Sequence, residues 1–226
     1  MARLPRLTLD AHPHWLIQRG HNQMPVFTDS LDRQAYLAAL REASAAAQVR
    51  LHAYALLDSE VHLLATPAQA ADLSRMMQAL GRRYVSAHHR RHGGSGTLWE
   101  GRFRCAVVEP GGFALEVLAL IDALPGGSAP PDQSSQAHRS GGPAQPMLLD
   151  PPEYWPLGNT PFERQLAWRE RLIEGQGSAR ATQLLTTALG GWALGSAAFA
   201  ARVAEQAQRA ASPRPRGRPR RALASR

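Results

Sequence analysis

Residues 51–67 read LHAYALLDSEVHLLATP, and the fold turns on how this stretch is read. Leu51 to Leu57 and Val61 to Ala65 are two short apolar runs, and Asp58-Ser59 between them supplies turn chemistry. The stretch is therefore predicted to be a β-hairpin. Side chains on a strand alternate between faces, so Glu60 and His62 share one face and Val61 points to the other. A carboxylate beside an imidazole on one strand face is a ligand pair for a divalent cation.

Working outward, His14 to Gln18 is a short strand that ends at Arg19-Gly20. Thr28 or Ser30 caps a helix that runs to about Val49. Ala70 to about His92 is a second helix, in which Leu73, Met76, Met77, Leu80 and Tyr84 fall on one buried face. Gly93 to Arg104, GGSGTLWEGRFR, is a glycine-rich loop, followed by a strand from Arg104 to Val108. Gly111 to Leu124 is a third helix. Residues 126–150 are rich in Gly, Pro, Ser and Gln and read as a flexible, low-complexity insertion. Helical stretches follow at 161–174, 178–189 and 195–210, and a break at 190–196 could make the last two a helix-turn-helix that places its final helix on DNA.

The charge is concentrated. All 26 basic residues are arginine, and the chain carries +8 in total. Residues 211–226 hold six arginines and no acid. Arg82, Arg83, Arg90, Arg91, Arg102 and Arg104 form a second patch relieved only by Glu100. A charge run can be a plain solvated face, but two such patches on a mildly acidic body point to a polyanion partner, most simply DNA. Trp99 lies among these arginines and either stacks on bases or plugs the edge of the core. Pro213 to Arg221, PRPRGRPRR, holds the Arg-Gly-Arg-Pro core of an AT-hook, so Arg216 and Arg218 are candidates for the minor groove of A·T-rich duplex. No run of 18 apolar residues suggests a membrane span, and the first residues lack the apolar core of a signal peptide. With Cys105 the single cysteine, the expectation is a cytoplasmic, nucleoid-associated bacterial protein.

Several of these segments resemble the single-tyrosine, HUH-type transposases, and within them the REP-associated tyrosine transposases. The hairpin strand Leu57-Asp58-Ser59-Glu60-Val61-His62-Leu63-Leu64 is similar to that family's L-M-P-N-H-x-H-L-L. Residues 13–22, PHWLIQRGHN, resemble Y-H-V-x-x-R-G-N, and residues 97–103, TLWEGRF, resemble L-W-E-G-R-F/Y. Residues 150–155, DPPEYW, resemble D-P-x-x-Y-x-W. The resemblance implies an α/β (α+β) fold with a ferredoxin-like antiparallel sheet and helices packed on it, and the order of elements above agrees with that. It divides the chain into a transposase-like region at 1–125, the insertion at 126–150, a C-terminal helical region at 151–210 and a basic tail at 211–226.

In that family two histidines and an amide hold the metal, and a tyrosine attacks the phosphate. Here one histidine is kept as His62, and Glu60 stands in place of the other. Aligned on Pro125, Leu120 occupies the tyrosine position of Y-I-x-x-N-P and Leu124 the asparagine position. The site thus reads as degenerate at Glu60, Leu120 and Leu124. His62 and Glu60 remain as a weak metal pair, for Mg or Mn if any activity survives. The expected function is DNA binding without strand cleavage, on single-stranded hairpin or A·T-rich duplex DNA. The alternative is an active transposase whose nucleophile is Tyr84 or Tyr54.

Overall fold

The computed structural model describes residues 5–126, 130, 132–175 and 177–213. Strands β1 (His14–Arg19), β2 (Val49–Leu57), β3 (Glu60–Pro67) and β4 (Arg104–Val107) form one sheet in the order β2-β3-β1-β4, and every neighbouring pair is antiparallel. Helix α1 (Ser30–Ala46) links β1 to β2, and α2 (Ala70–His92) links β3 to β4. This is the expected ferredoxin-like α/β arrangement. After it come α3 (Gly112–Ala123), a single turn α4 (Gln136–Arg139), α5 (Pro161–Glu174), α6 (Ser178–Leu189) and α7 (Ala197–Ala207).

Strand alternation sorts the core into two layers. Leu16, Tyr54, Leu56, Val61, Leu63 and Cys105 pack with Tyr36 and Leu40 of α1 and Met76 and Leu80 of α2. Trp15, Ile17, Ala53, Ala55, Leu64 and Ala106 pack on the other face with α3, Trp168 of α5 and Leu184 of α6. The helices start where side chains can satisfy free N–H groups. Asp29 caps α1 by accepting from Asp32 N at 3.1 Å, and Thr160 and Glu163 form a capping box on α5 behind Pro161. Helices α5 and α6 thus contribute Trp168 and Leu184 to the second layer of the core.

A bulge at His52 breaks the period of β2. Leu51 pairs with Ala65 and Ala53 with Leu64, so His52 is the extra residue and Leu51 and Tyr54 reach the same core layer. His52 is buried, with its ring nitrogens at 2.6 Å from Leu149 O and 2.8 Å from Thr66 Oγ1.

Residues 132–150 depart from the flexible insertion that their composition predicts. They run along the outer edge of β2. Leu56 N–H donates to Gln133 O at 2.7 Å, Tyr54 N–H to Ser135 Oγ at 2.9 Å, and Leu149 N–H to Leu51 O at 2.8 Å. Arg139 is fully buried between Asp122 of α3 (3.3 Å) and Asp150 (2.7 Å). Asp122 also accepts from Ser135 Oγ and, at 3.2 Å, from the Trp168 indole. Burial pushes the Asp122 pKa up, and Arg139 and these donors oppose it. At the opposite edge, Leu194 N–H donates to Val107 O at 2.8 Å, and Ala193 N–H to Ala211 O at 2.8 Å. The outer edge of β2 is thereby covered, and that of β4 at its Val107 end. The AT-hook-like stretch with Arg216 and Arg218 lies outside the described residues.

Candidate functional site

Glu60 opens β3 beside the hairpin turn, and the turn is held from several sides. Gly20 N–H donates to Ser59 O at 2.8 Å, Val26 N–H to Asp58 O at 2.7 Å, and Arg33 of α1 to the Asp58 carboxylate at 2.7 Å. A Cβ at Gly20 would lie 2.2 Å from Met24 O, so only glycine lets the chain turn this closely. Glu100 N–H donates to Arg19 O at 2.8 Å, which lays the loop after α2 along the end of β1. Arg19, Gln23, Ser59, Glu60 and Glu100 line a polar hollow of about 410 Å³ at this corner.

Glu60 and His62 share a face, as their spacing predicts, but both are already engaged. The Trp15 indole N–H donates to His62 Nδ1 at 3.2 Å, and the two rings lie 5.7 Å apart. A neutral imidazole that accepts at Nδ1 carries its proton on Nε2, and Nε2 faces Glu60 Oε2 at 3.3 Å. The other Glu60 oxygen is bonded to Arg19. The His62 hydrogen bond and the Arg19 charge hold the Glu60 carboxyl below the usual range against its burial. This pair does not fit a metal. It offers two ligand-forming side chains, too few to hold an ion by themselves. It also belongs to no group of three ligand-forming side chains among the described residues.

The four tyrosines of the chain are Tyr36, Tyr54, Tyr84 and Tyr154, at 0%, 1%, 1% and 5% exposure. Tyr84 donates its hydroxyl to Val26 O and packs against Tyr36 and Phe27 at 5.0 and 5.6 Å. Burial raises the hydroxyl pKa at each of the four, and at Tyr54 pushes it to about 12. A nucleophilic hydroxyl needs access and a lowered pKa, and these have neither. Tyr84 and Tyr54 are core residues.

Helix α3 turns Ala114, Val117, Leu118 and Ile121 to the sheet layer. Leu120 lies two residues beyond Leu118, about 200° around the helix. It lines a hollow of about 190 Å³ with Leu172 of α5 and Ala181 of α6. Leu124 is half-buried against the same layer. Neither leucine is among the residues that line the hollow at Glu60. Aligning a helix on its proline cannot reveal that later helices cover its outer face.

The arginines of the second patch separate by partner. Arg83 pairs with Glu42 of α1, and Arg91 with Asp29 and Asp32. Arg90 is exposed and bonds within its own helix, to Ser86 O at 3.3 Å. Arg82, Arg102 and Arg104 are exposed and have no ion pair among the described residues. Trp99 is 6% exposed and packs 6.1 Å from Tyr84 and 6.3 Å from Tyr36, so it plugs the core edge and offers no face for base stacking.

A feature that sequence reading missed lies beside β4. Arg102 and Arg104 meet Arg6 and Arg209 around a hollow of about 190 Å³ that also presents Phe103 and Trp192, and no carboxylate lines it. The Arg6 guanidinium sits 3.7 Å from the centre of the Phe103 ring, and that of Arg209 5.8 Å from Trp192. Arg6 and Arg209 lie near opposite ends of the sequence, so only the fold brings them to the Arg-Phe-Arg run. The final helix of the supposed helix-turn-helix buries Phe199 and Val203 against Leu7 and Val107, and its charges are one arginine, Arg202, and one acid, Glu205. That is a packing helix without a basic reading face. No described helix is long and apolar enough to cross a membrane.

No protein-family model and no curated protein matches the sequence. Among solved structures, the chain is similar in fold to a REP-associated tyrosine transposase bound to a REP hairpin. The identity is 14%, the match covers 55% of this chain and 73% of that one, and the TM-score is 0.47. It is also similar to a Deinococcus radiodurans R1 protein described as a transposase, at 22% identity, covering 48% of this chain and 88% of that one, with a TM-score of 0.37.

Proposed function

We propose that this chain is a DNA-binding protein on a tyrosine-transposase-like fold that does not cut DNA. The reading is supported first by the tyrosines: the chemistry of the resembled family needs a reachable tyrosine hydroxyl, and all four here are buried. The Arg19–Glu60 pair at the family's metal position agrees with it. The binding half is supported by Arg102 and Arg104, which meet Arg6 and Arg209 in a hollow without a carboxylate. Arginine forks suit phosphate oxygens. Arg82, Arg90, Arg216 and Arg218 extend the candidate interface, while Arg83 and Arg91 are left out because carboxylates neutralise them, and Trp99 because it is buried in the core. Single-stranded hairpin and A·T-rich duplex DNA are the partners to compare.

The test joins two measurements on the full chain. Binding of labelled hairpin and A·T-rich duplex DNA is followed by fluorescence anisotropy across salt, where a steep loss of affinity with salt is expected. The same DNA is then incubated with Mn²⁺ and run on a denaturing gel, where no covalent protein–DNA adduct is expected. A flat salt response overturns the binding half, and an adduct overturns the other.

A further inference from the structure

The last turns of α2 carry His88 and His92, one helical turn apart, opposite Asp32 in the first turn of α1. One ligand atom from each lies within 4.8 Å of the other two, and among the described residues no other three histidine, cysteine or acidic side chains are so placed. Most of the group is explained by ordinary hydrogen bonds and ion pairs. Buried Asp32 accepts the Thr28 N–H at 2.8 Å, and His92 Nε2 lies 2.9 Å from Asp32 Oδ1. Arg91 pairs with both Asp32 and Asp29. His88 is the exception. Its Nδ1 is buried without a hydrogen-bond partner, and its ring centre is 4.6 Å from that of His92. A buried nitrogen left with nothing to bond is costly, and a bound cation would remove that cost.

We propose that Asp32, His88 and His92 hold a divalent transition-metal ion of the zinc class, which ties the end of α2 to the start of α1. Two imidazoles and a carboxylate select zinc, cobalt or nickel over magnesium or calcium. Metal–ligand distances of about 2.0–2.1 Å place tetrahedral ligand atoms roughly 3.3 Å apart, so side-chain rotation must close the group by about 1.5 Å or less. Arg91 keeps Asp29 as a partner when the ion takes its place at Asp32. Three protein ligands leave a fourth position to water. The ion would sit one residue before Gly93, where the chain leaves α2 and begins the loop that leads to Arg102.

The full chain, stripped with a chelator, is titrated with Zn²⁺ by calorimetry and with Co²⁺ by visible absorption. One tight equivalent of Zn²⁺ and the d–d bands of four-coordinate Co²⁺ are expected. His88→Ala weakens Zn²⁺ binding about tenfold or more. Its circular dichroism stays that of the parent, so the weakened binding is not a loss of fold. His89→Ala keeps parental affinity, since His89 is directed to Gly96 O at 3.2 Å. The proposal is overturned if the parent binds no Zn²⁺, or if His88→Ala and His92→Ala bind it unchanged. Loss of binding in Glu60→Gln alone would place the ion at β3 and overturn it equally.

Discussion

At the corner of β3, Glu60 and His62 have the residue types of a metal site, and every polar atom that matters is taken by Trp15, Arg19 or the other member of the pair. At the edge of β4, Arg102 and Arg104 belong to no recognisable catalytic pattern, and their charges are unopposed among the described residues. The difference teaches that a side chain's capacity for outside chemistry depends on what remains after its neighbours are satisfied. The corner has become self-contained. The edge is still able to bind.

The largest effect is expected at the edge. The double variant Arg102→Ala/Arg104→Ala should weaken DNA binding about tenfold or more and lower the slope of log K against log salt by about two, one for each arginine–phosphate pair removed. Anisotropy titrations at several salt concentrations read both. Unchanged affinity would move the interface elsewhere. At the corner, Glu60→Gln should cost about 1 kcal/mol in chemical denaturation at neutral pH, since it strips Arg19 and His62 of a partly buried charge partner. The sign with pH follows from the lowered Glu60 pKa. The folded state holds the ionised form, so this contribution is present above the ordinary carboxylate pKa of 4.5 and is lost as pH falls through the lower folded-state value. The parent and Glu60→Gln should therefore converge in stability in acid, and a gap that widens there would refute the pairing. Trp15→Phe removes the indole donor to His62 while keeping a ring, and should cost about 1 kcal/mol with no change in DNA affinity. The smallest effect is expected on cleavage. Glu60→His, Leu120→Tyr and Leu124→Asn together should form no covalent adduct with hairpin DNA and Mn²⁺, because residue 120 faces α5 and α6. An adduct would show that α3 can turn its outer face to the β3 corner.

Local pattern carried most of the framework. The stripe of Leu73, Met76, Met77, Leu80 and Tyr84 is buried as its spacing requires, and α2 runs from Ala70 to His92 as read. The alternation in β3 put Glu60 and His62 on one face, where they are. What stayed hidden depends on pairings between residues far apart in the chain. The polar composition of 132–150 signals solvation, yet Ser135 and Arg139 are buried because Asp122 and the free edge of β2 receive them. Trp99 in an arginine-rich loop looks like a stacking platform until Tyr36 and Tyr84 enclose it. Arg6 and Arg209 join Arg102 and Arg104 only because the start and the late part of the chain meet at β4.

The covering of the sheet edges by late segments also constrains how the protein comes into being. During synthesis the four strands leave the ribosome early, but the strip that seals β2 follows at 133–149 and the one that covers the Val107 end of β4 only at 193–194. Until then the nascent sheet offers a row of open hydrogen-bonding groups on each side. A chain stopped near residue 125 would keep those rows open for good, and such an edge is a template for pairing with other chains. The early fragment should thus accumulate as aggregates or chaperone-bound species, while the same residues in the finished protein are quiet.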